Sequence, residues 1–443
     1  MPVDTFLSQN GATYRPTPTV TRRALLAGAA AFAGVALAPG PSVGAPALTL
    51  RRGGSIHTMM NWAELEPGSR DRFVWPPFAT PKYQTPPQFF DALRATGVDF
   101  VRLTVDPGPF LAARGRQRAE IEAILLDRCR TFLDRDLRVI VDFHPTYQVE
   151  AYAPTRIVTD VKGQPFRDYA NMIARAAGAL AVLDPARVAL EPFNEPPYGY
   201  DPQTAARWQT MIEIMHAGIR RANSDIPVIW SGARSGAIRA LEDVRPERLG
   251  DDNVIWTFHY YSPLPFTHQG VRTSHFDIHH YRYLSELPFP ASAGNATLLR
   301  EIVHHNIMLD AQLEPGRRQE MRKRAFAIVD AHVKGGFGPE NIRRDFATVL
   351  DWARSRNVAP ARVLLGEFGV VRRPPGGAGP LNRHRLMWLR EVREAAENHG
   401  FSWCLWDINQ PQMGIVHRRD SASFDLPMLE ALGLSDPASA RRG

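Results

Sequence analysis

From residue 53 onward the chain alternates short β-branched or apolar runs with longer amphipathic stretches, and this rhythm restricts the fold more than any other feature. Strands separated by helical crossovers build repeated βα units around a parallel sheet. Eight strands are predicted, within a few residues, at Ser55–Met60, Asp99–Val105, Arg138–His144, Val188–Asn194, Pro227–Trp230, Val254–Tyr260, Val363–Glu367 and Ser402–Trp406. Between them, apolar residues at three- and four-residue spacing predict helices at Pro87–Thr96, Arg118–Arg135, Phe166–Leu183, Thr204–Ala222, Ile342–Arg356 and Arg383–Asn398. Eight such units imply an α/β fold of the closed (β/α)8 TIM barrel type. A barrel of this kind needs about 250 residues, and the excess has a visible home in a long insertion after strand 6, from Ser262 to about Pro339. It opens with His268, His275, His279, His280, Tyr281 and Tyr283, and becomes helical from about Asn295 to Val333. We expect a lid or cleft wall. Pro-rich Trp75–Pro87 and Gly-rich Arg372–Pro380 read as surface loops.

The N-terminus reads as an address rather than as part of the barrel. Thr21-Arg22-Arg23 precedes an apolar run to Ala38, followed by Ala45-Pro46-Ala47, a small-residue pattern suited to signal peptidase. This resembles a twin-arginine export signal over residues 1–47; a chance arginine pair before an alanine-rich helix is the alternative. The mature chain is expected at 48–443, working in the periplasm or outside the cell. The run Ala24–Ala38 is too short to span a bilayer, so no membrane association is expected after signal removal.

Charge excludes little by itself. The net +7 falls to +5 once Arg15, Arg22, Arg23 and Asp4 are removed, and only Lys82, Lys162, Lys323 and Lys334 are lysines. The remaining cations are arginines interspersed with acids, without a basic block, so nucleic acid is not an expected partner. Two cysteines, Cys129 and Cys404, exclude a disulfide framework. No cofactor is expected. A metal site is not expected either, because His275, His279 and His280 lack a recognised ligand pattern.

In a (β/α)8 barrel the active site lies at the C-terminal ends of the strands. Here those ends are polar. Strand two carries Arg102, strand three ends Asp142-Phe143-His144, and strand four ends Asn194-Glu195-Pro196. Strand six carries His259 and Tyr261, strand seven ends Gly366-Glu367-Phe368-Gly369, and strand eight ends Trp406-Asp407. Two carboxylates on strands four and seven, across the barrel mouth, suit glycoside hydrolysis: one protonates the departing oxygen while the other attacks or stabilises the anomeric carbon. Sugar rings stack on flat indoles; Trp406 is the expected platform, with Trp62, Trp75, Trp230 and Trp256 equally suited to the core. Glu191 and Asp142 alternate with site residues but are expected to be structural acids deeper in the barrel. Alternation puts Glu191 on the face of Glu195, about 13 Å below it.

In order and on the expected strands, Arg102, His144, Asn194-Glu195-Pro196, His259-x-Tyr261, Glu367 and Trp406 resemble glycoside hydrolase family 5, the family of many cellulases and β-mannanases. The resemblance spans residues 53 to about 410. It implies Glu195 as acid/base and Glu367 as nucleophile in a retaining double displacement, with carboxyls about 5 to 5.5 Å apart. It further implies that Arg102 and Tyr261 keep Glu367 ionised, that Asn194 contacts the sugar 2-hydroxyl, and that His144 and His259 orient hydroxyls and carboxyls. The first strand matches the family's Gly-x-Asn opening only loosely, and no substrate contact is assigned to it. The expectation is an exported endo-β-1,4-glucanase acting as a monomer on a β-glucan. The alternatives are a β-mannanase or exo-β-1,3/1,6-glucanase and, in a different class, a non-catalytic carbohydrate-binding barrel.

Overall fold

The computed structural model describes residues 48–197, 202–272, 278–419 and 421–438. The export signal expected at residues 1–47 lies outside them, as does His275. Eight parallel strands close into a barrel in sequence order, β1 pairing with both β2 and β8. They are β1 (Arg52–Met60), β2 (Phe100–Val105), β3 (Arg138–Phe143), β4 (Val188–Glu191), β5 (Val228–Ser231), β6 (Val254–Tyr260), β7 (Val363–Phe368) and β8 (Ser402–Leu405). Each expected strand is present. Helices fall at Pro87–Ala95, Arg116–Leu133, Gln164–Leu180, Pro202–Ala222, Pro339–Ser355 and Asn382–Asn398. Between β5 and β6 no α-helix forms; the chain crosses on two 3₁₀ segments, Ile238–Asp243 and Pro246–Arg248.

Side-chain alternation sorts the strands into layers. At the lower end Phe100, Ile140, Ala189, Ile229, Ile255, Leu364 and Cys404 meet inside the barrel, with Leu48 packed among them. Gly53 is required here, because a Cβ would lie 2.3 Å from the Phe100 ring. Two residues further along their strands the same inward positions become Arg102, Asp142 and Glu191, all buried. The apolar floor thus hands over to a charged layer beneath the C-terminal rim. The complementary residues, such as Val101, Val139, Leu190 and Leu365, belong to a second core cluster that takes in the helices.

The insertion departs from the single helical stretch expected over 295–333. Two helices form instead, Ala296–Met308 and Pro315–Gly335. Pro315 explains the break: proline lacks an N–H and clashes with the preceding turn, so it starts a helix rather than continuing one. Asn295 caps the first helix by accepting from the Leu298 N–H at 3.1 Å. Among the described residues no helix is long and apolar enough to cross a membrane. Cys129 and Cys404 are both buried thiols.

Candidate active site

Arg102 organises the rim. It is fully buried on β2, and its guanidinium donates from Nε to Glu191 Oε2 at 2.7 Å, from Nη1 to Glu367 Oε1 at 2.8 Å, and from Nη2 to Asn194 Oδ1 at 2.8 Å. Nη2 also lies 3.0 Å from Glu191 Oε1 and 3.0 Å from Asp142 Oδ2. Burial alone would make the cation easier to deprotonate, but Asp142, Glu191 and Glu367 outweigh it and hold the guanidinium charged. Glu191 is therefore the principal partner of the arginine, through a bidentate pair. It is a buried structural acid, as its depth in the strand implied.

A closed hydrogen-bonded ring follows from the donor inventory. Asn194 Oδ1 accepts from Arg102, so its Nδ2 donates to His144 Nε2 at 3.2 Å; His144 Nδ1–H then donates to Asp142 Oδ2 at 2.9 Å. Each assignment fixes the next, and the ring requires neutral His144. Burial, then Arg102 and His259, push that imidazole well below the usual histidine range. Both His144 nitrogens are thus occupied within the protein, while one Asn194 amide N–H has no partner among the described residues. The His144 ring stacks on Trp406, with centroids 5.5 Å apart and planes at 17°.

Glu367 reaches this network through an irregularity in β7. Alternation from inward Leu364 would turn Gly366 and Phe368 inward and Glu367 outward. The β6–β7 register instead slips, with Phe258 opposite Leu365 and then His259 opposite Glu367. The bulge spends one residue on Gly366 and turns Glu367 into the barrel. Gly366 is obligatory, since a Cβ would meet Thr257 Oγ1 at 2.2 Å. Glu367 then takes Arg102 on Oε1 and the Tyr261 hydroxyl on Oε2 at 2.9 Å.

Glu195 is positioned differently. β4 ends at Glu191, and Glu195 sits beyond it at φ +43°, ahead of Pro196. An L-residue rarely adopts this backbone, and strain of that kind persists where surrounding structure enforces it. Strand alternation therefore does not relate Glu195 to Glu191, because the strand has already ended. Glu195 Oε1 lies 2.8 Å from His259 Nδ1, which is also 3.5 Å from Glu367 Oε2. The buried His259 Nε2 has no partner among the described residues, so the ring proton belongs on Nδ1.

These three side chains bring ligand atoms within 4.8 Å of one another. That trio could offer ligands to a cation, but the Arg102 guanidinium already supplies positive charge to Glu367. Burial raises both carboxyls, Glu195 to about 7 and Glu367 to about 7. They differ in support. Glu367 is buried and takes two strong donors besides His259, whereas Glu195 is 31% exposed at the cleft and among the described residues takes His259 alone. Of the pair, Glu367 is the better place for the negative charge and Glu195 for the proton.

Aromatic residues complete the cleft. Trp230 and Trp256 are buried core residues, and half-buried Trp75 donates to Glu120 Oε2 at 2.7 Å. Trp62, 37% exposed beyond β1, is a second accessible indole. Three residues of the site were not assigned from sequence. His57 on β1 packs edge-on against Trp406 at 4.7 Å and against His144 at 5.3 Å, and its Nδ1 lies 3.1 Å from Thr104 Oγ1. The parity of Gly53, Ser55 and His57 would have found it, despite the loose family match of that strand. Exposed Tyr147 feels the charge of Glu195, and His268 of the insertion meets Tyr261 edge-on at 5.2 Å. Loop residues such as these carry no periodic signal.

A (β/α)8 barrel with two close carboxyls at its C-terminal rim, one clamped by a guanidinium and a phenol, defines the protein as a glycoside hydrolase. The cellulase family, glycosyl hydrolase family 5, matches over residues 68–412, and the chain belongs to that family. It is 24% identical over 216 residues to endoglucanase 3 of Fibrobacter succinogenes, covering 49% of this chain but only 29% of that protein's length. It is 21% identical over 334 residues to endoglucanase C of Acetivibrio thermocellus, covering 74% of this chain and 84% of the relative. The fold resembles the crystal structure of the cellulose synthase subunit Z from Clostridioides difficile, with TM-score 0.58, 21% identity, and 86% and 99% of the two chains covered.

Proposed function

We propose that this glycoside hydrolase is an exported, monomeric endo-β-1,4-glucanase that acts by a retaining double displacement, with Glu195 as acid/base and Glu367 as nucleophile. One observation carries the reading: the two carboxyls approach within 4.8 Å while only Glu367 holds both Arg102 and Tyr261. Retaining enzymes place their carboxyls about 5 to 5.5 Å apart, too close for an intervening water.

In the first step Glu367 attacks the anomeric carbon, and Glu195 gives its proton to the departing glycosidic oxygen. Glu195 Oε1 accepts from His259 Nδ1–H, so Oε2 is the oxygen left to carry that proton. Forming the glycosyl ester removes the Glu367 charge, which had helped keep Glu195 protonated. Glu195 then takes a proton from water as the water attacks the same carbon and releases Glu367. The remaining Asn194 N–H supports a contact with the 2-hydroxyl. Trp406, held between His57 and His144, is the platform for the sugar at the point of cleavage. Endo action on a glucan is supported by the likeness to the two endoglucanases, and the β-1,4 linkage by membership of the cellulase family.

The test is reducing-end release by residues 48–443 on carboxymethyl cellulose, mixed-linkage glucan, laminarin and mannan. Turnover of the first two with a rapid fall in viscosity is expected, and turnover confined to laminarin or mannan would overturn the specificity. Glu195→Gln and Glu367→Gln should each abolish hydrolysis while keeping sugar binding. Azide should rescue Glu367→Gly with an inverted glycosyl azide and rescue a Glu195 variant with retained configuration; the reverse pattern would exchange the two roles.

A further inference from the structure

A cavity of about 940 Å³ lies beside the cleft, between the insertion after β6 and the loop after β7. A smaller depression of about 240 Å³ shares Arg272 and Gln412 with it and reaches Trp406, Asp407 and His268. The chamber therefore adjoins the depression that reaches the sugar platform. Its volume suits one or two sugar-sized groups, within the range of about 300–1,000 Å³ for small-molecule sites.

Four arginines line the chamber, and two of them are committed to the fold. Arg372 donates to the carbonyls of Pro411, Gly414 and Val416 and pairs with Asp425 at 2.8 Å. Arg373 pairs with Glu286 at 2.7 Å. The other two are held less firmly, Arg282 lying over the Tyr283 ring at 6.0 Å. Arg282 approaches Asp310 only to 3.8 Å, and its buried Nε has no partner among the described residues. Arg272 is exposed and makes no hydrogen bond or ion pair with the described residues. Asp310 is the only acid among the described lining residues, and it is already engaged by the Tyr283 hydroxyl at 2.7 Å and the Gln312 N–H at 3.1 Å. Among the described residues two guanidiniums thus share one carboxylate, which leaves a positive charge in a concave space beside the cleft. A neutral glucan offers hydroxyl acceptors but no counter-charge to meet it.

We propose that this chamber receives a carboxylate-bearing substituent of the glycan, held between Arg272 and Arg282, so that the enzyme prefers an anionic, side-substituted β-glucan over a neutral one. Guanidinium forks match carboxylate geometry, which favours this ligand over a neutral branch. The proposal builds on the glucanase reading.

The test compares kcat/KM of the full mature chain on carboxymethyl cellulose and on neutral hydroxyethyl cellulose of matched substitution. At low ionic strength the anionic polymer should be favoured by about threefold to fivefold, the size of effect an exposed ion pair supplies. The ratio should collapse toward unity in about 1 M salt, where the Debye length is about 3 Å, and also in Arg272→Gln and Arg282→Gln. Asp310→Asn should widen it. A ratio insensitive to salt and to all three substitutions would overturn the proposal. If neither polymer is cleaved, the glucanase reading fails, and calorimetric titration with carboxymethylated cello-oligosaccharide still decides the chamber: binding weakened by Arg272→Gln sustains it, and equal or absent binding sinks it.

Discussion

Replacing Arg102 by methionine keeps an unbranched stem of similar reach and removes only the fork. Glu191, Glu367 and Asp142 then lose a shared counter-charge in a layer where all four side chains are nearly or wholly inaccessible. Removing one partner of a buried ion pair costs about 3–5 kcal/mol. For a chain of this size the unfolding entropy converts that to a fall in Tm of about 4–6 °C. The sign of its pH dependence is fixed. Without the guanidinium the folded-state carboxyl pKa values move further above their unfolded values, so the penalty is absent below the unfolded values and grows as pH rises through the folded ones. Arg102→Met should therefore be clearly less stable than wild type at about pH 8 and much closer to it at about pH 5, each pKa unit being worth about 1.4 kcal/mol. Turnover should fall by at least about a hundredfold at both pH values, since Glu367 and Asn194 lose the group that places them. Thermal melts and initial rates at the two pH values measure both effects. An equal loss of Tm at both, or kcat/KM within about tenfold of wild type, would refute the view that one guanidinium neutralises and positions this layer.

Two further outcomes follow from the same geometry. Burial raises Glu195 and Glu367 alike, each to about 7; the pair shares one proton, which the clamped Glu367 gives up first and Glu195 holds up to about 7. The profile of kcat/KM should be bell-shaped, falling on the alkaline side through about 7 and on the acid side as Glu367 is protonated; with an aryl glycoside that needs no acid assistance, Glu195→Gln should lack the alkaline fall, and a wild-type profile flat from about pH 5 to 9 would contradict the assignment. Gly366→Ala should lower both Tm and activity, because its Cβ would sit 2.2 Å from Thr257 Oγ1 and disturb the bulge that aims Glu367. Unchanged melting and turnover in that variant would show that the bulge tolerates a side chain.

The barrel and the chemical types at its rim were legible in the sequence because both follow from short-range rules. Eight short apolar runs recur with six period-3.6 stretches between them, and strand ends at Arg102, His144, Asn194, His259 and Trp406 carry polar or aromatic groups where an apolar residue would pack better. Inward alternation from Phe100 to Arg102 and from Ile140 to Asp142 could be read directly. Pro315 was visible as well, although the helical period around it masked the break. The two glutamates are different. Strict alternation turns Glu367 away from the cleft, and only the β6–β7 register slip brings it back. Glu195 lies past the end of its strand in a left-handed backbone that no propensity selects. That Glu191 takes the fork of Arg102, that His144 spends both nitrogens inside the protein, and that His57 braces Trp406 all depend on distances across the closed barrel. The sequence by itself determined the repeating unit and the residues offered at each strand end, since those depend on neighbours along the chain. The tertiary structure decided which carboxyl is clamped as an anion and which is left to hold a proton, because that choice depends on donors from β2 and the end of β6 meeting carboxyls carried by β4 and β7 at one point.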